Sequence, residues 1–267
     1  MTILYHLCID HALSLEQAWN TLEAAGIEIL YGSEEDGQTD LYVYLSSPDT
    51  LSSFNWIVTC IPYTLPSIDW KAQWAAHGHH YQDGYIHVDF APLGRSAHGL
   101  KLQPGSGFGD LSHPTTRLML RLLTHHLHNQ TVIDIGCGSG ILTLAAVAMG
   151  APTAYGIDID QEAIEHSKQN ASLNRLATQC IFSSPVHFMW KPTSEPVLML
   201  MNMIQSEQHV AWSSLPSLHV QSGQCLTSGI RTEERGAYLA QTTQRGWSLQ
   251  DEQEEMGWLA FYFITKT

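Results

Sequence analysis

The chain has 267 residues, 44% of them apolar, with a formal net charge of −14. That length suits one core domain plus a smaller module, and the apolar content excludes disorder. The acidic balance argues against binding nucleic-acid phosphates and is compatible with a basic protein partner.

Ile3–Asp10 reads as a strand. Ser14 caps a helix over Leu15–Ala25 that stops at Gly26, and a hairpin follows, Glu28–Tyr31 and Asp40–Leu45, across a polar Gly32–Thr39 loop. A β-α-β-β opening predicts a ferredoxin-like α+β module over residues 1–62. It carries no chemistry of its own, so binding a substrate is its expected role. From 63 to 100 the composition turns to Pro, Trp, His and Tyr, including Trp70 and Trp74, and predicts a connector that packs on a neighbour.

Residues 101–267 alternate strands and helices. The order is an apolar strand at Val132–Ile135, an alanine-rich helix, a strand at Ala154–Ile157, a helix at Gln161–Leu173 capped by Asp160, and strands at Gln179–Ser183, Pro196–Met203 and Gln224–Ile230. A helix at Glu233–Gly246 and two β-rich runs, Trp247–Glu255 and Gly257–Lys266, close the chain. This pattern predicts an α/β fold, a doubly wound, seven-stranded, mostly parallel sheet with one antiparallel strand, behind a small N-terminal α+β domain.

The chemistry lies in Val132-Ile133-Asp134-Ile135-Gly136-Cys137-Gly138-Ser139-Gly140 and in Asp158 at the end of the next strand. Gly136, Gly138 and Gly140 let a ligand lie against bare backbone, and the helix start is expected to offer unpaired N–H groups. Asp158 is placed to accept the two hydroxyls of a ribose. The spacing is Asp-x-Gly-x-Gly-x-Gly rather than the dinucleotide G-x-G-x-x-G. Asp134 would repel a pyrophosphate but suits a cofactor with a cationic amino-acid tail, which points to S-adenosylmethionine.

Five widely spaced cysteines without a C-x-x-C pair exclude a zinc knuckle and a disulfide framework. The histidine clusters at His77, His79 and His80 and at His125, His126 and His128 lack accompanying carboxylates or thiolates, so no metal is expected. No apolar run reaches the about eighteen residues of a membrane span and the N-terminus lacks a signal pattern, so a cytoplasmic monomer is expected.

Gly107-Phe108-Gly109-Asp110-Leu111-Ser112-His113-Pro114-Thr115-Thr116 precedes the cofactor strand. Together with the glycine motif, Gly156–Asp160, Asn170, Asn202 in Leu200–Ile204, Ser228-Gly229-Ile230 and the tryptophans Trp70 and Trp74, it resembles the ribosomal protein L11 lysine methyltransferases. The resemblance implies transfer of a methyl group from S-adenosylmethionine to lysine, or N-terminal, amines of a large-subunit ribosomal protein. It also implies that the Gly105–Thr116 segment closes over the methionine part of the cofactor. In that reading Phe108 walls the cofactor or the transfer channel and Asn202 aligns the acceptor amine, with Asp134, Gly136, Gly138, Gly140, Asp158, Thr115 and Asn202 holding the cofactor.

Two departures matter. Asp110-Leu111 stands where the family has Thr-Gly, and Met203-Ile204 is followed by the polar Gln205-Ser206-Glu207, expected at the surface. They leave room for a second reading, a cofactor-binding homologue with an altered acceptor or lost transfer activity and a binding or assembly role. Asn202 is not followed by the Pro-Pro-aromatic signature that stacks a planar acceptor, which disfavours an amide or base methyltransferase.

Overall fold

The computed structural model describes residues 2–10, 13–35, 38–64, 80–94, 99–109 and 111–265. Trp70, Trp74, His77, His79 and Asp110 lie outside the described residues. The chain forms two compact units, Met1–Ile68 and Asp69–Thr267.

In the first unit, β1 (Ile3–Ile9), β2 (Glu28–Glu35), β3 (Gln38–Leu45) and β4 (Ile57–Pro62) form a sheet in the order β2-β3-β1-β4. Burial alternates along β3 and over Tyr5–Ile9 of β1: Leu7, Ile9, Leu41 and Val43 face a core shared with Ala18 and Leu22 of α1 (Leu15–Ala24). The helix begins with a capping box between Ser14 and Gln17. One expectation is corrected. The polar Gly32–Thr39 stretch is mostly paired strand rather than open loop, because β2 runs to Glu35 and β3 starts at Gln38. Between β3 and β4 the chain makes a 3-10 turn at Pro48–Leu51.

The second unit begins with a small antiparallel sheet of β5 (Tyr81–Gln82), β6 (Tyr85–Val88) and β7 (Leu100–Leu102). Ile86, Val88, Phe90, Leu100 and Leu102 join the main core of this unit.

Seven strands follow: β8 (Val132–Ile135), β9 (Ala154–Ile157), β10 (Cys180–Ser183), β11 (Val197–Asn202), β12 (Gly223–Arg231), β13 (Trp247–Glu255) and β14 (Trp258–Thr265). Their order is β10-β9-β8-β11-β12-β14-β13, with β8 to β12 parallel and β14 antiparallel to both neighbours. The helices are α2 (Pro114–His126), α3 (Ile141–Ala148), α4 (Gln161–Leu173), α5 (Gln205–Ser213) and α6 (Arg235–Gln244). Leu198 and Leu200 of β11 join the core on the α2, α3 and α4 side; Val197, Met199 and Met201 join the core that includes Trp212 of α5 and Tyr238 of α6. Burial on both faces explains the unbroken apolar run of β11. The strand order reverses direction between β8 and β11, which opens a crevice at their carboxyl ends.

The polar Gln205-Ser206-Glu207 stretch begins helix α5, an element that the sequence pattern does not predict. Its N-cap, Ile204, makes no side-chain cap and its composition is polar, so the local signal is weak. The last helix starts two residues later than expected, behind a 3-10 turn at Thr232–Glu234.

Candidate active site

At the carboxyl ends of β8 and β11 stand the glycine turn that follows β8 and Asn202, which closes β11. Asp134 on β8 is 1% exposed, and its Oδ2 accepts from the Thr143 amide at 3.0 Å and the Thr143 hydroxyl at 2.6 Å. Helix α3 has a glycine, Gly140, as N-cap and no side-chain cap of its own. Asp134 supplies that function from the preceding strand, which is how it orients the turn. Its Oδ1 is buried and unpartnered. Burial pushes this carboxyl up to about 7, against the pull of the Thr143 hydrogen bonds, and the Asp158 charge adds to the rise.

Asp158 bridges the turn. Its Oδ2 accepts from Gly138 N at 2.9 Å and its Oδ1 from Asp160 N at 3.0 Å, while Asp160 caps α4 through Glu162 N. Each Asp158 oxygen keeps a further lone pair for a hydroxyl donor.

The expected unpaired N–H groups of the turn are mostly taken. Gly136 N and Cys137 N donate to the Ile157 carbonyl, Gly138 N to Asp158, Ser139 N to the Phe108 carbonyl and Gly140 N to the Cys137 carbonyl. A phosphate needs several free amides converging on it. This turn presents carboxylates in their place.

The Gly105–Gly109 segment lies directly on the turn. Ser139 N reaches the Phe108 carbonyl at 2.8 Å, and the Ser139 hydroxyl donates to the Gly109 carbonyl at 2.7 Å. Gly138 adopts φ +52°, and a Cβ there would drive into the Phe108 carbonyl oxygen, so the backbone-to-backbone contact requires glycine. The Phe108 ring is 55% exposed and stands edge-on to His113 at 5.4 Å; His113 meets Trp258 at 5.1 Å, and the Arg231 guanidinium lies 4.1 Å over Trp258. His113, Trp258 and Arg231 extend the aromatic wall beyond what the sequence reading named.

Thr115 is buried, and its hydroxyl bonds His113 Nδ1 at 2.7 Å in the N-cap of α2. Its hydroxyl is thus engaged in setting the helix start. Leu111 packs against the main core, and its carbonyl accepts from Arg117 Nη1 at 2.7 Å.

The segment is anchored from α4 by one helical face at four-residue spacing. His166 Nε2 donates to the Gln103 carbonyl at 2.8 Å, Asn170 Oδ1 accepts from Gln103 N at 2.8 Å, and Asn174 pairs with both backbone groups of Lys101. Asn170 Nδ2 also donates to the Ser139 carbonyl at 2.9 Å. Burial holds the His166 imidazole below its ordinary range, so it is neutral and donates from Nε2.

Asn202 ends β11, opposite Ser228. Its Oδ1 is buried without a partner. The following backbone is clamped: Gln208, fully buried on α5, donates from Nε2 to the Met203 and Ser228 carbonyls at 2.9 and 3.0 Å. Its Oε1 faces the Tyr238 hydroxyl at 2.7 Å. Gly229 at φ +96° lets the Met203 carbonyl pass against it. No local sequence pattern reveals Gln208, because its partners come from three separate strands and helices.

The family model for ribosomal protein L11 methyltransferase (PrmA) matches residues 16–266. A ribosomal protein L11 methyltransferase of Neisseria meningitidis is 35% identical over 169 residues, which is 63% of this chain and 55% of that protein. One of Glaesserella parasuis is 40% identical over 151 residues, 53% of this chain and 50% of that protein. The chain thus spans about half the length of the curated relatives it matches. A crystal structure of the ribosomal protein L11 methylase from Lactobacillus delbrueckii subsp. bulgaricus shares the fold, with a TM-score of 0.53 at 23% identity, covering 62% of this chain and 84% of that one. With nearly its whole length matched by one family model, on the fold and around the turn just described, the chain belongs to the ribosomal protein L11 methyltransferase family.

Proposed function

We propose that the protein is an S-adenosylmethionine-dependent protein N-methyltransferase whose acceptors are lysine, and N-terminal, amines of a large-subunit ribosomal protein, L11 being the substrate named for its relatives. The observation that carries the reading is the polarity of the turn. Two acceptors, Asp134 Oδ1 and Asn202 Oδ1, are buried without donors, and the amides of Gly136 to Gly140 are already donated. Such a site fits a ligand that brings hydroxyls and positive charge, and disfavours a diphosphate.

When bound, S-adenosylmethionine supplies a methyl group activated by a cationic sulfur. Asp158 would hold the ribose hydroxyls, and Gly136, Gly138 and Gly140 would let the amino-acid part approach the backbone. Asp134, sealed beneath the turn, would act on the ammonium electrostatically. Phe108 and His113 would wall the opening through which the acceptor enters.

An amine attacks only as the free base, whereas a lysine ordinarily holds its proton up to pH of about 10.4. An apolar slot beside a cation favours loss of that proton to solvent on entry. Asn202 Oδ1 would then accept one of the two remaining N–H groups and direct the lone pair. The work is positioning and exclusion of water, without a strong general base. The first unit would present the protein substrate, and residues 63–100 would join it to the catalytic part.

Incubation of the purified protein with methyl-labelled cofactor and isolated ribosomal proteins tests this. Label is expected on L11, at amines. Binding of the cofactor with no label on any ribosomal protein would favour the assembly role instead.

A further inference from the structure

We propose that the N-terminal unit carries an exchangeable divalent-metal site, of zinc type, formed by His6 Nε2, Cys8 Sγ and Asp40 Oδ1. His6 and Cys8 are two apart on β1 and so share a face, and Asp40 on β3 is the register partner of Cys8. This is the face opposite Leu7, Ile9, Leu41 and Val43, which are in the core. The three donor atoms lie within 4.8 Å of one another, with His6 Nε2 2.8 Å from Asp40 Oδ1 and 3.9 Å from Cys8 Sγ. Tetrahedral zinc needs donor separations of roughly 3.3–3.6 Å; the His6–Asp40 and His6–Cys8 separations, 2.8 and 3.9 Å, bracket that range.

The arrangement separates a metal site from a proton relay. In a thiol–imidazole–carboxylate relay the carboxylate and the thiol occupy different ring nitrogens. Here both approach Nε2, so the donors converge on one point in space. A fourth group converges as well: Gln38 Nε2 lies 3.6 Å from Cys8 Sγ and 3.1 Å from Asp40 Oδ1. A half-turn of that amide puts its oxygen in the same place, as a weak fourth ligand. The imidazole is held in orientation by Tyr42, stacked at 4.7 Å, and Tyr63, edge-on at 6.0 Å.

The donor set selects the metal. Thiolate with imidazole and one carboxylate suits zinc and its neighbours, and is poor for magnesium or calcium. Binding would release the thiol proton, and the metal would replace the hydrogen-bonding proton between His6 and Asp40. All three side chains are partly exposed, so solvent can displace the weak Gln38 ligand and the ion can exchange. Among the described residues no other His, Cys and carboxylate group of three converges in this way.

Cobalt(II) titration of the untagged 267-residue chain tests the proposal. The expected result is one equivalent bound, with tetrahedral visible bands and a thiolate-to-cobalt charge-transfer band, both displaced by zinc. Cys8→Ser should abolish the charge-transfer band and weaken zinc binding by about tenfold or more; Asp40→Asn, which keeps a hydrogen-bonding partner for His6, should weaken it comparably. Cys60→Ser should change neither. In the unaltered protein, zinc should slow alkylation of Cys8 and leave Cys60 unaffected, which needs no variant to fold. Imidazole-only binding without the thiolate band, a band that survives in Cys8→Ser, or equal alkylation of Cys8 with and without zinc would each overturn it.

Discussion

The side-chain amide of Asn170 donates to the Ser139 carbonyl at 2.9 Å. The same amide accepts from Gln103 N at 2.8 Å, so one buried group ties α4 to both the glycine turn and the segment that covers it. Asn170→Ala would leave a buried carbonyl and a buried N–H without partners, at about 1–3 kcal/mol each. Thermal denaturation should show a midpoint lowered by roughly 5–15 °C, and calorimetry a weaker cofactor. A midpoint within a degree of the parent would mean that the segment is held by other means.

Asp158→Ala should weaken S-adenosylmethionine by about 10–100-fold, the scale of one or two hydrogen bonds to a charged group. The variant also loses the acceptor of Gly138 N, so folding is followed in parallel by circular dichroism. Unchanged affinity in a folded variant would remove Asp158 from the ribose.

Asn202 and Gln208 are expected to separate binding from transfer. Asn202→Ala should lower kcat by about 10²–10³-fold, the usual cost of one positioned hydrogen-bonding group at a reacting centre, and leave cofactor affinity close to the parent. Gln208→Leu removes the donors to the Met203 and Ser228 carbonyls and should lower kcat in the same direction, with some loss of stability. If Asn202→Ala instead raised KM for the protein substrate and left kcat alone, Asn202 would be a recognition residue.

Two buried groups give opposite pH signatures. Asp134 titrates near 7 in the folded chain because burial raises it above the unfolded carboxyl value of about 3.9. Its contribution to stability is therefore present below that unfolded value and is lost as pH rises through 7. A cation bound near it would pull the carboxyl down, so cofactor affinity should rise with pH across the same range, with proton release. Calorimetry in buffers of different ionisation enthalpy reads that proton, and Asp134→Asn should abolish it.

His166 is shifted the other way, lowered by burial against the pull of the Gln103 carbonyl. Its contribution is present above the unfolded value of about 6.5 and is lost as pH falls below it. Protection factors of the amides in residues 103–109, which correct for the intrinsic slowing of exchange in acid, should fall on acidification, and His166→Gln should flatten that response.

Leu200 and Met201 show why the fold was legible. Their neighbours along β11 alternate between two apolar cores, and a strand buried on both faces has to read as an apolar run. The turn Asp134–Gly140 was legible for a related reason, since glycine is forced locally where another backbone passes, as Phe108 does over Gly138. The glycine turn, the Asn202 end of β11 and the segment that packs on the turn are thus adjacent in the structure, as residues that the sequence had singled out.

Sequence alone determined the glycine turn after β8 and the apolar run of β11, because backbone geometry and two-sided burial leave a one-dimensional record. Tertiary structure alone decided what each polar group does there. Thr115 is taken by His113, the turn amides by Ile157, Asp158 and Phe108, and the backbone after Asn202 by Gln208. A hydrogen bond satisfies a donor with whatever acceptor folding brings within about 3 Å, and that pairing has no fixed sequence spacing. The same holds for His6, Cys8 and Asp40, whose convergence depends on the register of two strands joined through α1 and β2.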